Sequence, residues 1–214
     1  MVNVVDGRIA RRMPEAPLHT EAVATYGSAS EERSAAGKID VPIGPMIVAH
    51  VDASYTRSDN LRTGGYLLSP ELRALAAASP DEEIQVNAKR RGTLPNSAAE
   101  TWEVAAGLSV VTDRGHLGFS VSRYDSLYGV PPRLGFQTPE DGAEGPESVR
   151  FDLKQTRLDV RGELETDGEF LEKIRVRMAA ADYRHFEIEE SGEIGTRFFN
   201  LSLIHISEPT RRYA

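Results

Sequence analysis

Tyr183, His185, Glu187 and Glu189 recur at a spacing of two. On an extended strand that spacing puts all four side chains on one face. The imidazole of His185 and the carboxylates of Glu187 and Glu189 form a ligand set suited to Zn²⁺ or a similar ion, with Tyr183 beside them. A solvated, charged strand end is the plainer and commoner meaning of the same residues. His50 and Asp52 form a second pair at this spacing, better suited to a hydrogen-bond network than to a metal. A third group alternates without a break: Arg157, Asp159, Arg161 and Glu163 fall on one face, and Leu158, Val160, Gly162 and Leu164 on the other. With Arg175 and Arg177 on the following segment, these charges predict ladders across neighbouring strands. Their first expected role is support of the sheet; a substrate path is the second.

Nothing in the chain suggests catalysis. No nucleophile–base constellation, phosphate-binding glycine loop or HExxH pattern occurs. The chain reads as a non-enzyme that requires no cofactor of its own. Its net charge of −8, from 25 basic and 33 acidic residues, argues against nucleic acid as a partner. There is no cysteine, so disulfides and thiolate metal sites are excluded. No apolar run of about 18 residues is present, which excludes a membrane helix. It does not exclude a membrane barrel, whose alternating strands keep mean hydropathy low. The opening residues Met1 to Asp6 lack the basic start and apolar core of a signal peptide. The expectation is a cytoplasmic protein or a natural N-terminus lying upstream.

The charged face needs a strand to present it, and seven segments alternate with period two. They cover about 18–27, 33–43, 45–57, 99–112, 115–127, 149–165 and 170–188. Their connections alternate as well. Pro42–Pro45, Thr112–Gly115 and Glu165–Glu169 are short turns rich in Gly, Pro and Asp. Long loops at about 57–98 and 128–148 fall on the opposite side of an up-and-down meander. The 57–98 loop carries helix signals: Ser69 and Pro70 start one helix that runs to Ala78, and Asp81 opens a second that Gly92 ends. The predicted fold class is all-β, an antiparallel meander of about 7–8 strands with short helices in one long loop.

Alternation alone describes equally well a soluble sheet with one face on a core. Three features favour lipid. The strands exceed the usual five or six residues. The apolar faces use many small residues, with Tyr26, Tyr55 and Trp102 near the long-loop end, as in an interfacial girdle. The opposite faces carry charge on adjacent strands, as a polar barrel lumen would.

Several segments resemble TonB-dependent outer-membrane receptors: Asn96–Trp102, Val121–Pro131, Asp152–Arg157 and Asp182–His185. Val2–Ile9 resembles the end of such a receptor's plug domain. The resemblance spans nearly all of 1–200 and is nearest to the zinc- and metal-uptake branch. It implies a 22-stranded barrel occluded by an N-terminal plug, in the outer membrane of a Gram-negative bacterium. Residues 1–15 would be a plug remnant and linker, and 16–200 the N-terminal part of the transmembrane β-barrel. The 57–98 loop would be extracellular. Active uptake of a metal ion or metal chelate is the implied function, with zinc or an iron chelate as cargo. The partners would be the TonB complex, through the missing plug and N-terminus, and outer-membrane lipid. His50, Asp52, Arg157, Asp159, Arg161, Glu163, Arg175 and Arg177 would face the lumen. The zinc-type branch often carries a histidine-rich extracellular loop, whereas Pro132–Ser148 has no histidine. The rival reading is a soluble secreted β-sandwich that binds a ligand or carbohydrate.

Residues 201–211 read LSLIHISEPTR, which resembles the translation of a transposase adapter used in sequencing libraries. The segment 201–214 is therefore treated as adapter read-through. A strip cut from a larger barrel is expected to aggregate or stay disordered alone, because lipid does not tolerate open strand edges.

Overall fold

The computed structural model describes residues 7–131, 148–166, 171–189 and 194–210. Residues 1–6, 132–147, 167–170, 190–193 and 211–214 lie outside the described residues, and with them most of the expected Pro132–Ser148 loop and part of the expected Glu165–Glu169 connection.

The seven alternating segments, and one further stretch beyond them, fold as long antiparallel strands. These are β1 (His19–Gly27), β2 (Glu32–Pro42), β3 (Ile47–Ser58), β6 (Ala99–Thr112), β7 (Gly115–Val130), β8 (Val149–Glu165), β9 (Lys173–Ile188) and β10 (Ile194–Thr210). They form one eight-stranded sheet in the order β1-β2-β3-β6-β7-β8-β9-β10. It is an open sheet, a meander whose neighbours in space are neighbours in sequence once the β3–β6 excursion is set aside. The seven predicted strands all appear, and two of them run longer or shorter by a few residues. A two-residue connection at Asp113 and Arg114 links β6 to β7. Gly115 closes it at φ +155°, where a Cβ would overlap the carbonyl oxygen of Glu163 on β8, so only glycine fits.

The excursion between β3 and β6 holds the two expected helices, α1 (Pro70–Ala77) and α2 (Glu82–Lys89). Ser69 caps α1 by accepting from the Leu72 amide at 3.3 Å, with Pro70 in the first turn. Leu68, Leu72, Ala76, Ile84 and Ala88 give this insert its own small core. A short ladder of β4 (Arg62–Tyr66) with β5 (Arg91–Thr93) closes its base. Sequence periodicity did not signal these two strands, because Arg-Thr-Gly-Gly-Tyr and Arg-Gly-Thr are too short and too glycine-rich to show alternation. Two asparagines tie the insert to the sheet. Asn60 Oδ1 accepts from the Ser97 and Ala98 amides at 2.8 and 3.0 Å. Asn96 Nδ2 donates to the Val130 and Val149 carbonyls at 2.8 and 2.7 Å, joining the end of β7 to the start of β8.

The pairing register sorts the side chains into two faces. One apolar row runs Ile39, Val51, Ala106, Val121, Leu158 and Ala180 across six strands. The next row toward the short turns runs Ala49, Leu108, Phe119, Val160 and Met178. The opposite face carries Asp52, Ala105, Ser122 and Arg157 in one row, and His50, Gly107, Ser120 and Asp159 in the next. Burial does not follow the usual assignment of apolar to inside. Leu117 is 57 % exposed, Phe119 48 %, Val121 43 % and Leu158 44 %, whereas His50 is 3 % exposed and Asp159 7 %. The apolar face is bare and the middle of the polar face is covered. β10 runs on through residues 201–210, the segment set aside above as adapter read-through, with His205 in register with Met178 and Ile206 with Arg177.

Candidate functional site

The polar face is covered in part by the segment that precedes β1. Gly7–Arg12 lies across its middle, seated on two glycines. A Cβ on Gly107 would overlap the carbonyl oxygen of Arg8, and one on Gly118 would meet Ile9 Cγ2 at 2.7 Å. A glycine inside a strand commonly marks such a close approach of another backbone. Ile9 is 4 % exposed, and Val48 and Val111, nearer the short-turn end, are buried as well. The Ala10 amide donates to Ser109 Oγ at 2.8 Å, which fixes the segment's register on β6.

Arg8 is the centre of this seat. Its Nε and one terminal nitrogen donate to the two oxygens of Asp52 at 2.8 and 2.9 Å, a bidentate pair. The guanidinium also lies 2.7 Å from Glu103 Oε1. Burial opposes the charge on Arg8, but Asp52 and Glu103 outweigh that and hold its pKa above the ordinary arginine value. His50 extends the network: Nδ1 is 2.6 Å from Asp40 Oδ1 and Nε2 is 2.9 Å from Asp52 Oδ2. Whichever tautomer is present, one ring N–H donates to a carboxylate. The His50–Asp52 pair thus sits in a hydrogen-bond network, as its spacing predicts. An open pocket of about 370 Å³ adjoins it, bounded by Gly7, Arg8, Glu21, Lys38, His50 and Asp52.

Toward the short-turn end, β8 and β9 bring charges together. Asp159 accepts from Arg157 at 2.6 and 2.8 Å and lies 3.7 Å from Arg161. Glu163 accepts from Lys173 at 2.7 Å and from Arg175 at 2.8 Å. The expected ladder is therefore partly cross-strand, through Glu163 and Arg175, and partly along β8 itself through residues two apart. Arg177 stands opposite Arg161 in register.

Toward the long-loop end, Tyr183, His185 and Glu187 share the polar face, opposite Gln155, Leu153 and Phe151 of β8. Tyr183 and His185 meet, with the hydroxyl oxygen 3.2 Å from Nδ1. The imidazole stands edge-on to Phe151, centroids 4.6 Å apart, and Phe151 in turn contacts Tyr128 at 5.5 Å. The local arrangement is an aromatic cluster with one carboxylate register position beside it. Glu189 follows the last residue of β9. Among the described residues, no group of three His, Asp or Glu side chains is placed to hold a metal ion.

Arg8, Asp40, Glu103 and Ser109 were not singled out from sequence. Arg8 and Asp52 are 44 residues apart, and no local pattern couples them. The available signal was Gly107 within β6 and Gly118 within β7, small residues on the polar face where periodicity alone asks for none. No family model matches the chain.

Proposed function

We propose that this chain is part of the wall of a TonB-dependent outer-membrane receptor for active uptake of a metal ion or metal chelate. The observation that carries the reading is the inverted burial of the sheet. A row of Leu, Val, Phe and Met side chains is bare on one face, while His50, Asp159 and the serines of β6 and β7 are covered on the other. In water such a face costs roughly 25 cal/mol per Å² left uncovered, and a contiguous patch this wide marks an interface with protein or lipid. Strands of 14 to 17 residues (β6 to β9) are long enough to cross a bilayer with tilt. A lipid-facing apolar band and a polar interior are what a transmembrane barrel requires. Tyr55 and Trp102, paired at the long-loop end of the apolar face, suit an interfacial girdle. Gly7–Arg12, lying on the polar face, then corresponds to the tail of a plug inside the barrel. A sandwich would instead press the apolar face against a second sheet, and the other sheet among the described residues is the two-stranded β4–β5 ladder of the insert.

Cargo recognition on this reading falls to the polar face near the long loops, where Tyr183, His185 and Phe151 cluster. Fractionation of the full-length protein tests the assignment. Recovery in the outer-membrane fraction, extracted only by detergent, is expected. Recovery in the aqueous periplasm rejects it. For a metal-ligand role of His185, Glu187 and Glu189, zinc binding by that protein should weaken on His185→Ala and Glu187→Ala; unchanged binding removes those residues from the site.

A further inference from the structure

Arg11, His116, Arg161, Glu163, Arg175 and Arg177 line a pocket of about 180 Å³ on the polar face, together with Ile9. The geometry points to this pocket as a binding site for a small, multiply charged oxyanion, a phosphate or polycarboxylate group. Four arginines and one glutamate line it. Arg161 and Arg177 lie directly opposite each other on β8 and β9, and like charges in that position repel across a ladder. The Arg161 side chain is only 20 % exposed, so solvent does little to relieve that repulsion. Asp159 faces Arg157 and Arg161, and Glu163 faces Lys173 and Arg175, with Glu165 also on Lys173. Guanidinium groups converging on a small concavity present paired N–H donors in the geometry that phosphate and carboxylate oxygens accept. The volume admits an anion of that size and no large chelate. Arg11 arrives from the N-terminal segment, so the site is complete only while that segment is seated on Gly107 and Gly118.

The site does not depend on the membrane reading; a soluble sheet with the same pairing would hold it equally. Isothermal titration of the refolded full chain in nonionic micelles, its strand content checked by circular dichroism, provides the test. The probes are inorganic phosphate, citrate, and micelles doped with phosphatidylglycerol. Saturable one-to-one binding of phosphate or citrate is expected and assigns a free anion. A response to the doped micelles alone assigns a lipid phosphate. Arg177→Gln and the surface variant Arg11→Gln should each weaken binding by about tenfold, the loss of one charge-assisted hydrogen bond. Arg33→Gln on the apolar face should leave it unchanged. No saturable binding by a strand-rich chain, or equal weakening by Arg33→Gln, overturns the site. A chain that binds phosphate yet stays monomeric without detergent keeps the anion site and rejects the barrel.

Discussion

Replacing Gly107 by alanine tests the seat of the N-terminal segment most directly. The added methyl would occupy the position of the Arg8 carbonyl oxygen. That obstacle is backbone, so no side-chain rotation relieves it and Gly7–Arg12 must lift. Lifting breaks the bidentate Arg8–Asp52 pair, the Arg8–Glu103 contact and the Ala10–Ser109 hydrogen bond. Charge-assisted hydrogen bonds are worth about 1.5–3 kcal/mol each and the neutral one about 1 kcal/mol. Exposing Ile9 forfeits roughly another 1.5–3 kcal/mol. These contributions share residues and do not add fully, so a net loss of about 3–5 kcal/mol is expected. Hydrogen exchange at the peptide covering residues 7–12 reads this directly, because the Ala10 amide is held by Ser109 Oγ. A loss of protection of at least about 100-fold follows from that range. Gly37→Ala serves as the control, since a Cβ there meets its nearest neighbour at an ordinary 3.5 Å. Unchanged protection in the Gly107 variant, or an equal loss in the Gly37 variant, refutes the claim that the glycine seat holds the segment.

Three further outcomes are expected. Phe119→Arg, in the middle of the bare apolar face, should cost about 2–4 kcal/mol of folding stability in a bilayer; a change under about 0.5 kcal/mol in denaturant titration would place that face in water. Arg73→Ala removes a guanidinium stacked 3.4 Å over the Tyr66 ring and its hydrogen bond to the Ala88 carbonyl. It should loosen α1 and α2 by about 1–2 kcal/mol while exchange rates in β6 and β7 stay fixed; coupled loss in the sheet would show that the insert is not an independent unit. The isolated chain without detergent should aggregate, and a monomeric, protease-resistant, β-rich species by size-exclusion chromatography would contradict that.

The strands were legible because their information is local. Ile39-Asp40-Val41 or Leu158-Asp159-Val160 states both the period and the face within a few residues, and a slip of one residue would invert the whole strand. Helices α1 and α2 were legible for the same reason, through Ser69 and Pro70 at one start and the Ala-rich run behind them. The covering of the polar face was not. It rests on Arg8 reaching β3 and β6, and on glycines whose meaning lies in what approaches them. The His185 group shows the opposite limit. Its spacing put Tyr183, His185 and Glu187 on one face, as found, but Phe151 and Tyr128 on other strands make the surroundings aromatic, which spacing along β9 cannot reveal.

Among the described residues the sheet has an even number of strands, so in the chain as given, adapter-like residues 201–210 included, its two outermost members, β1 and β10, run in opposite directions. A ninth strand would have made them parallel. With eight, the β10 edge of one sheet can accept the β1 edge of another without breaking the antiparallel order. Such a contact is head-to-tail, and it leaves one fresh edge of each kind however many copies join. Growth stops only if the accumulated twist brings the first edge round to meet the last. The same parity that permits a ring also permits an endless ribbon, and the curvature between strands decides which one forms.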